Sequence, residues 1–340
     1  MFNLIMLIKS NDKYIIKSRN LGIEILRVLL CLWVLLFHYL DKNRINYFLF
    51  YITKTKFSHV PCFSFLSFYF SSNIFFNVDI IRIRNRLERL LIPYIGWPLI
   101  IFIIKNIYEH KYIITLYDLK IQLIFGRQFI VPLWYLFSMI LLTIIFYMLK
   151  KILHKYFLFT ILLLSILSYM AQYFDKYKFF DGYRENIKKS ILDTISIFPL
   201  SVLGIIVASS NFIKFLQRYR FTSLFFSYIF IFFIFKCNIF VDIYGYNGIV
   251  HIFTSLLFFI AFYFLPLENI NLCLQKVIKQ ITSYTNGIYC LHTRIMFYFI
   301  FKFQLKGSLK NGILLYLSSY FVSFVGMMIF GKTKLKYLFI

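Results

Sequence analysis

Apolar runs of about twenty residues recur from one end of the chain to the other, and that repetition limits the fold more than any single motif does. The clearest is LGIEILRVLLCLWVLLFHYL at residues 21–40, with similar runs at about 57–76, 91–108, 131–149, 157–174, 191–209, 221–236, 248–265, 283–303 and 312–330. Each is close to the length that carries a helix across a bilayer. Charged or turn-forming clusters such as DKNRIN, DKYKFFDGYRENIKK and QLKGSLKNG separate them. The expectation is an all-α, polytopic integral membrane protein, with about ten transmembrane helices in one bundle. Of 340 residues, 61% are hydrophobic and only 15% charged, whereas a soluble domain carries about a quarter charged residues. No stretch reads as a repeat, a linker or a soluble second domain. Residues 1–340 are therefore expected to form a single membrane domain, with 1–20 as a cytoplasmic lead-in and 331–340 as a short basic tail.

The formal net charge of +25 narrows the partners. The Lys and Arg residues lie between apolar runs, which suits loops against anionic membrane lipids rather than a nucleic acid. Placing both termini in the cytoplasm gives the inner loops a slight excess of these residues, in the sense of the positive-inside rule. RIRNRLER and the terminal GKTKLKY then share the side of the basic N-terminal segment. The start, MFNLIMLIKSNDK, lacks the basic region and cleavage site of a signal peptide and reads as retained. Five cysteines are scattered without a C-x-x-C pair, so neither a disulfide framework nor a zinc site is expected.

The first apolar run carries Glu24, Arg27 and His38, each costly in hydrocarbon. At about 100° per residue, eleven residues return a helix to within about 20° of its starting direction. Arg27 and His38 therefore share a face, about 16 Å apart along the axis, and Glu24 stands three residues before Arg27, within reach of an ion pair. A polar stripe on an otherwise lipid-compatible helix belongs inside a bundle or against a water-filled cavity. Taken singly, Glu24 also reads as reaching headgroups, Arg27 as a snorkelling side chain, and His38 as an interfacial one. Of the other histidines, His59 sits at a span entrance, His110 and His154 in basic loops, and His251 alone on an apolar helix.

Five landmarks in order extend the pattern: IEILRVLLCLWVLLFH, VPCFSFLSFYF, RIRNRLERLLIPYIGW, PLWYLFSMI and GIYCLH. With these, the sequence resembles the integral-membrane acyltransferase family of type 3, bacterial proteins of about ten spans that O-acylate sugars and other small molecules. The family's acidic residue, Arg and His correspond to Glu24, Arg27 and His38, and its Tyr-x-x-His motif to Tyr289 and His292. Two features depart from the family: Phe68 stands where Gly is usual, and Val131-Pro132 stands where many members place a His before L-W-[FY]-L.

The resemblance implies an O-acetyltransferase of the bacterial inner membrane. Acetyl-CoA is the expected donor and a surface-polysaccharide sugar, or its lipid-linked precursor, the expected acceptor. Attack by a sugar hydroxyl calls for a base with a pKa near neutrality, for which His38 is the candidate. Arg27 would orient the donor or stabilise charge, with Glu24 holding it. CoA phosphates favour guanidiniums at the cytoplasmic face, for which Arg82, Arg84, Arg86 and Arg89 are candidates. His292 and Arg294, two residues apart in a mid-span stretch, are candidate acceptor contacts, with Trp134, Tyr135 and Tyr289 as aromatic platforms. No metal is expected. The alternative is an exporter or flippase of polysaccharide or lipid-linked sugar, using the same intramembrane Arg and His residues for translocation.

Overall fold

The computed structural model describes residues 20–39, 59–108, 115–126, 133–175, 185–209, 211–236, 249–267, 270–285, 287–290 and 309–339. Among these the only regular structure is helical. Helices α1 (Leu21–Tyr39), α2 (His59–Phe76) and α3 (Ile80–Tyr108) build the first third, followed by a short α4 (Leu116–Phe125). Next come α5 (Leu133–Leu153), α6 (Phe157–Asp175), α7 (Glu185–Ser209), the short α8 (Phe212–Arg218) and α9 (Arg220–Lys236). The chain continues through α10 (Ile249–Tyr263), α11 (Leu272–Ser283) and α12 (Leu309–Phe330) to a terminal 3₁₀ turn, Lys334–Leu338.

Nine of the ten expected apolar runs coincide with one of these helices. The remaining run, 283–303, starts on the last residue of α11, turns at Tyr284 and is helical at residues 285 and 287–290; residues 286 and 291–303 lie outside the described residues. By length and composition, three stretches among the described residues suffice to cross a membrane: Leu133–Ala171, Lys189–Ser209 and Lys310–Phe330. Two more, Arg220–Phe233 and Val250–Tyr263, are apolar but shorter. These are the marks of a membrane protein.

Helix α7 is the hub, lying against α2 along most of its length and also against α5 and α6. Hydroxyls join the hub to its neighbours: Ser64 and Ser201 are 3.0 Å apart across α2–α7, and Ser138 and Thr194 are 2.7 Å apart across α5–α7. Ser201 and Thr194 also bond to carbonyls one turn back, so these hydroxyls are satisfied within the bundle. Aromatic edges fill the space between α2, α5 and α6, where Phe68, Phe75, Phe146 and Phe157 meet with ring centroids 5.1–6.5 Å apart. Phe68, one of the two departures from the family pattern, is wholly buried in this cluster.

The basic segment and the third apolar run are one helix. α3 has 29 residues and runs through Pro93 and Pro98. At 1.5 Å per residue it spans about 43 Å, longer than the roughly 30 Å hydrocarbon layer. Its arginine-bearing first turns therefore extend beyond the apolar part.

Candidate functional site

Five segments each turn one helical face toward a cavity of about 590 Å³. From α1 come Asn20, Glu24 and Arg27, at the four- and three-residue spacing of a single stripe. Asn20 caps α1, its side-chain oxygen accepting from the Ile23 N–H at 3.1 Å. Helix α2 supplies Phe63, Ser67, Phe70, Ser71 and Ile74, again one stripe. Helix α3 supplies Arg82, Arg86 and Arg89, at the same four- and three-residue intervals. Tyr135 and Met139 from α5, and Thr285 and Tyr289 from the segment after α11, complete the wall. Between Ile74 and Phe63 the α2 wall is about 16 Å long.

The cavity opens at the end where α1 begins, α2 stops and α3 starts, where the Arg82 side chain is 64% exposed. Its inner end is closed by aromatic rings, with the Tyr289 centroid 5.5 Å from Tyr135 and 6.4 Å from Phe63. Four guanidiniums face one carboxylate, so the space attracts anions.

The arginines are held in different ways. Arg27 donates to Glu24 at 3.3 Å and to the Thr285 hydroxyl at 3.1 Å, which ties α1 to the segment after α11. Thr285 in turn donates to the Thr282 carbonyl at 2.9 Å. Arg86 is a strut. Its Nε donates to Thr143 of α5 at 3.0 Å, its other nitrogens donate to the hydroxyls of Ser67 and Ser71, and its Cζ lies 5.0 Å over the Phe68 ring. Arg82 pairs with Asp79 at 3.0 Å near the mouth. Arg89, exposed and lining the cavity, has its Cζ 5.8 Å over the ring of Tyr337.

Arg84 does not join them. It lies 76% exposed outside the cavity and pairs with Glu88 at 3.2 Å. Two residues on a helix differ by about 200°, so Arg84 falls opposite Arg82. Lys334 also bonds Glu88, at 2.9 Å. Hydrogen bonding from Lys334, joined by Arg84, holds the Glu88 carboxyl below the usual carboxylate range.

Of the aromatic candidates, Tyr135 and Tyr289 line the cavity, whereas Trp134 is buried among α2, α5 and α7 side chains such as Phe68 and Ile197. The backbone of His38 belongs to α1. Its side chain, with His292 and Arg294, lies outside the described residues. On the stripe between Arg27 and His38, Cys31, Val34 and Leu35 are close-packed inside the bundle, at most 2% exposed. The described α1 lining of the cavity therefore ends at Arg27.

Sequence reasoning did not single out Asn20, Ser67, Ser71 or Thr285. Uncharged hydroxyls are common in apolar helices and carry no signal until a cation is seen beside them. Helical spacing of 82, 86 and 89 was the available clue for separating these arginines from Arg84.

A family model described as an acyltransferase domain matches residues 20–332. The chain thus belongs to the type 3 acyltransferase family that its ordered motifs resemble. No curated protein and no solved structure compared with it matches.

Proposed function

We propose that this acyltransferase moves an acetyl group from acetyl-CoA to a hydroxyl of a surface-polysaccharide sugar, or of its lipid-linked precursor, in the bacterial inner membrane. The observation that supports this most is the meeting of Arg27, Arg82, Arg86 and Arg89 on one open cavity within an acyltransferase-family bundle. Guanidiniums bind phosphate bidentately, and CoA is the polyanionic form in which cells carry acetyl groups. With both termini cytoplasmic and about ten crossings, the mouth faces the cytoplasm, where the donor is made.

In this reading Arg82 and Arg89 hold donor phosphates at the mouth. Arg27, fixed by Glu24 and Thr285, orients the donor deeper in. The acyl-bearing arm points inward, and the rings of Tyr135 and Tyr289 part to admit it toward the face of α1 that carries His38. There the acceptor oxygen attacks the thioester carbon as His38 takes its proton. The carbon–sulfur bond then breaks, the acetyl group stays on the acceptor oxygen, and the thiolate leaves and recovers the proton from His38.

Purified protein in detergent, given labelled acetyl-CoA and a candidate glycan, tests this. Label transfers with the native chain, and His38→Ala lowers the rate by about 10²–10⁴-fold at an unchanged melting temperature. Normal transfer by that variant removes His38 as the base. Absence of transfer, with intracellular accumulation of precursor on deletion, would favour export instead.

A further inference from the structure

The last residues of the described chain are docked against the bundle. Leu338 and Phe339 are only 5% and 8% exposed. The Leu338 carbonyl accepts from Trp97 Nε1 at 3.2 Å, and the Phe339 ring meets Trp97 edge-on at 5.8 Å and stacks on Phe330 at 5.8 Å. Three glycines from separate parts of the sequence make the seat. A methyl group on Gly96 of α3 would press on the Leu338 side chain, and one on Gly326 of α12 would enter the Phe339 ring. At Gly287, in the segment after α11, a methyl would overlap the Phe339 carbonyl.

This seat adjoins two walls of the cavity. On the α3 side, Tyr337 lies under the cavity-lining Arg89 and Lys334 bonds Glu88. On the opposite side, Gly287 sits between Thr285 and Tyr289, both of which line the cavity. Thr285 is also the partner of Arg27. Residues 333–339 lie beyond the stretch matched by the family model.

We infer that the segment Lys334–Phe339 is a strap that positions the candidate site, fixing the spacing between the Arg89 wall and the Thr285–Tyr289 wall. Tyr337 sets the direction of Arg89, and Phe339 sets the depth of the segment carrying Thr285 and Tyr289. The strap's effect on donor affinity rests on the reading of the cavity as a CoA site, whereas its effect on the walls does not.

Two measurements separate these, both on the full chain in nanodiscs. Hydrogen exchange of the 82–91 and 284–290 backbone reads the walls directly. Phe339→Ala and Gly287→Ala accelerate exchange in both stretches, and unchanged exchange overturns the strap. Equilibrium binding of CoA reads the consequence, with Tyr337→Ala weakening it about tenfold and Tyr337→Phe, which keeps the ring under Arg89, restoring native affinity. If Tyr337→Phe is as weak as Tyr337→Ala, the positioning of Arg89 by the ring is wrong. Accelerated exchange in a chain whose native form binds no CoA supports the strap and sinks the donor reading.

Discussion

Arg86 and Arg89 stand three residues apart on one helix and have different tasks. Arg86 spends its guanidinium on Ser67, Ser71 and Thr143, joining α2, α3 and α5 within the cavity wall. Arg89 is exposed, lines the cavity and rests on Tyr337. Removing Arg86 takes the donor from the buried hydroxyls of Ser71 and Thr143 and from the half-buried Ser67, at a cost of about 1–3 kcal/mol for each group left unsatisfied. Lysine does not reproduce the planar fork. Arg86→Lys should therefore lower the melting temperature in detergent clearly, while Arg82→Ala, whose exposed pair with Asp79 is worth about 0–1 kcal/mol, should scarcely move it. Equal shifts for the two variants would contradict the strut assignment. The sequence offered both arginines as phosphate ligands, because a string of letters shows charge and spacing but not which neighbours have already claimed the donors. Trp134 and Tyr135 failed to separate for a related reason. Adjacent helical residues point about 100° apart, so one faces the apolar core and the other the cavity.

At the level of elements, apolar periodicity located nine helices, because long greasy runs have no other stable form in a bilayer. It did not show that RIRNRLER continues into the third run as a single helix, since charge reads as a boundary until the 3.6-residue spacing of 82, 86 and 89 is weighed. The short α4 lies between two apolar runs, too short to register as one, and its ends are marked locally: Thr115 and Asp118 form a capping box and Gly126 ends it at φ 69°. The α2–α3 turn holds the least comfortable backbone near the cavity mouth. Val78 has φ 50°, and the bonds Asp79 N–H to Ile74 and Val78 N–H to Phe75, 3.2 and 3.1 Å, form a Schellman closure. That geometry wants glycine, and a branched residue there costs roughly 1–2 kcal/mol. Val78→Gly should raise stability by about 1 kcal/mol, offset in part by the greater freedom of the unfolded chain. A lower melting temperature for this variant would show that Val78 is held without strain.

Across the described residues, the pattern is a hydroxyl-joined bundle around α7 with a basic, open cavity on the α1–α2–α3 side. The family landmarks were legible in the sequence because they are spaced along the chain in a fixed order. The C-terminal strap was not, because GKTKLKY reads as a solvated basic tail and its seat is made by glycines from three distant positions. The central claim is that this cavity takes a phosphate-bearing acyl donor, and Arg84 offers an internal control. It shares helix α3, charge and sequence neighbourhood with Arg89, yet lies outside the cavity and pairs with Glu88. Equilibrium binding of acetyl-CoA to the full chain in nanodiscs tests the claim most directly. The account predicts that Arg89→Gln weakens binding about tenfold or more, a loss of about 1.4 kcal/mol, while Arg84→Gln leaves it unchanged. Equal weakening by both, or no weakening by Arg89→Gln, would contradict it.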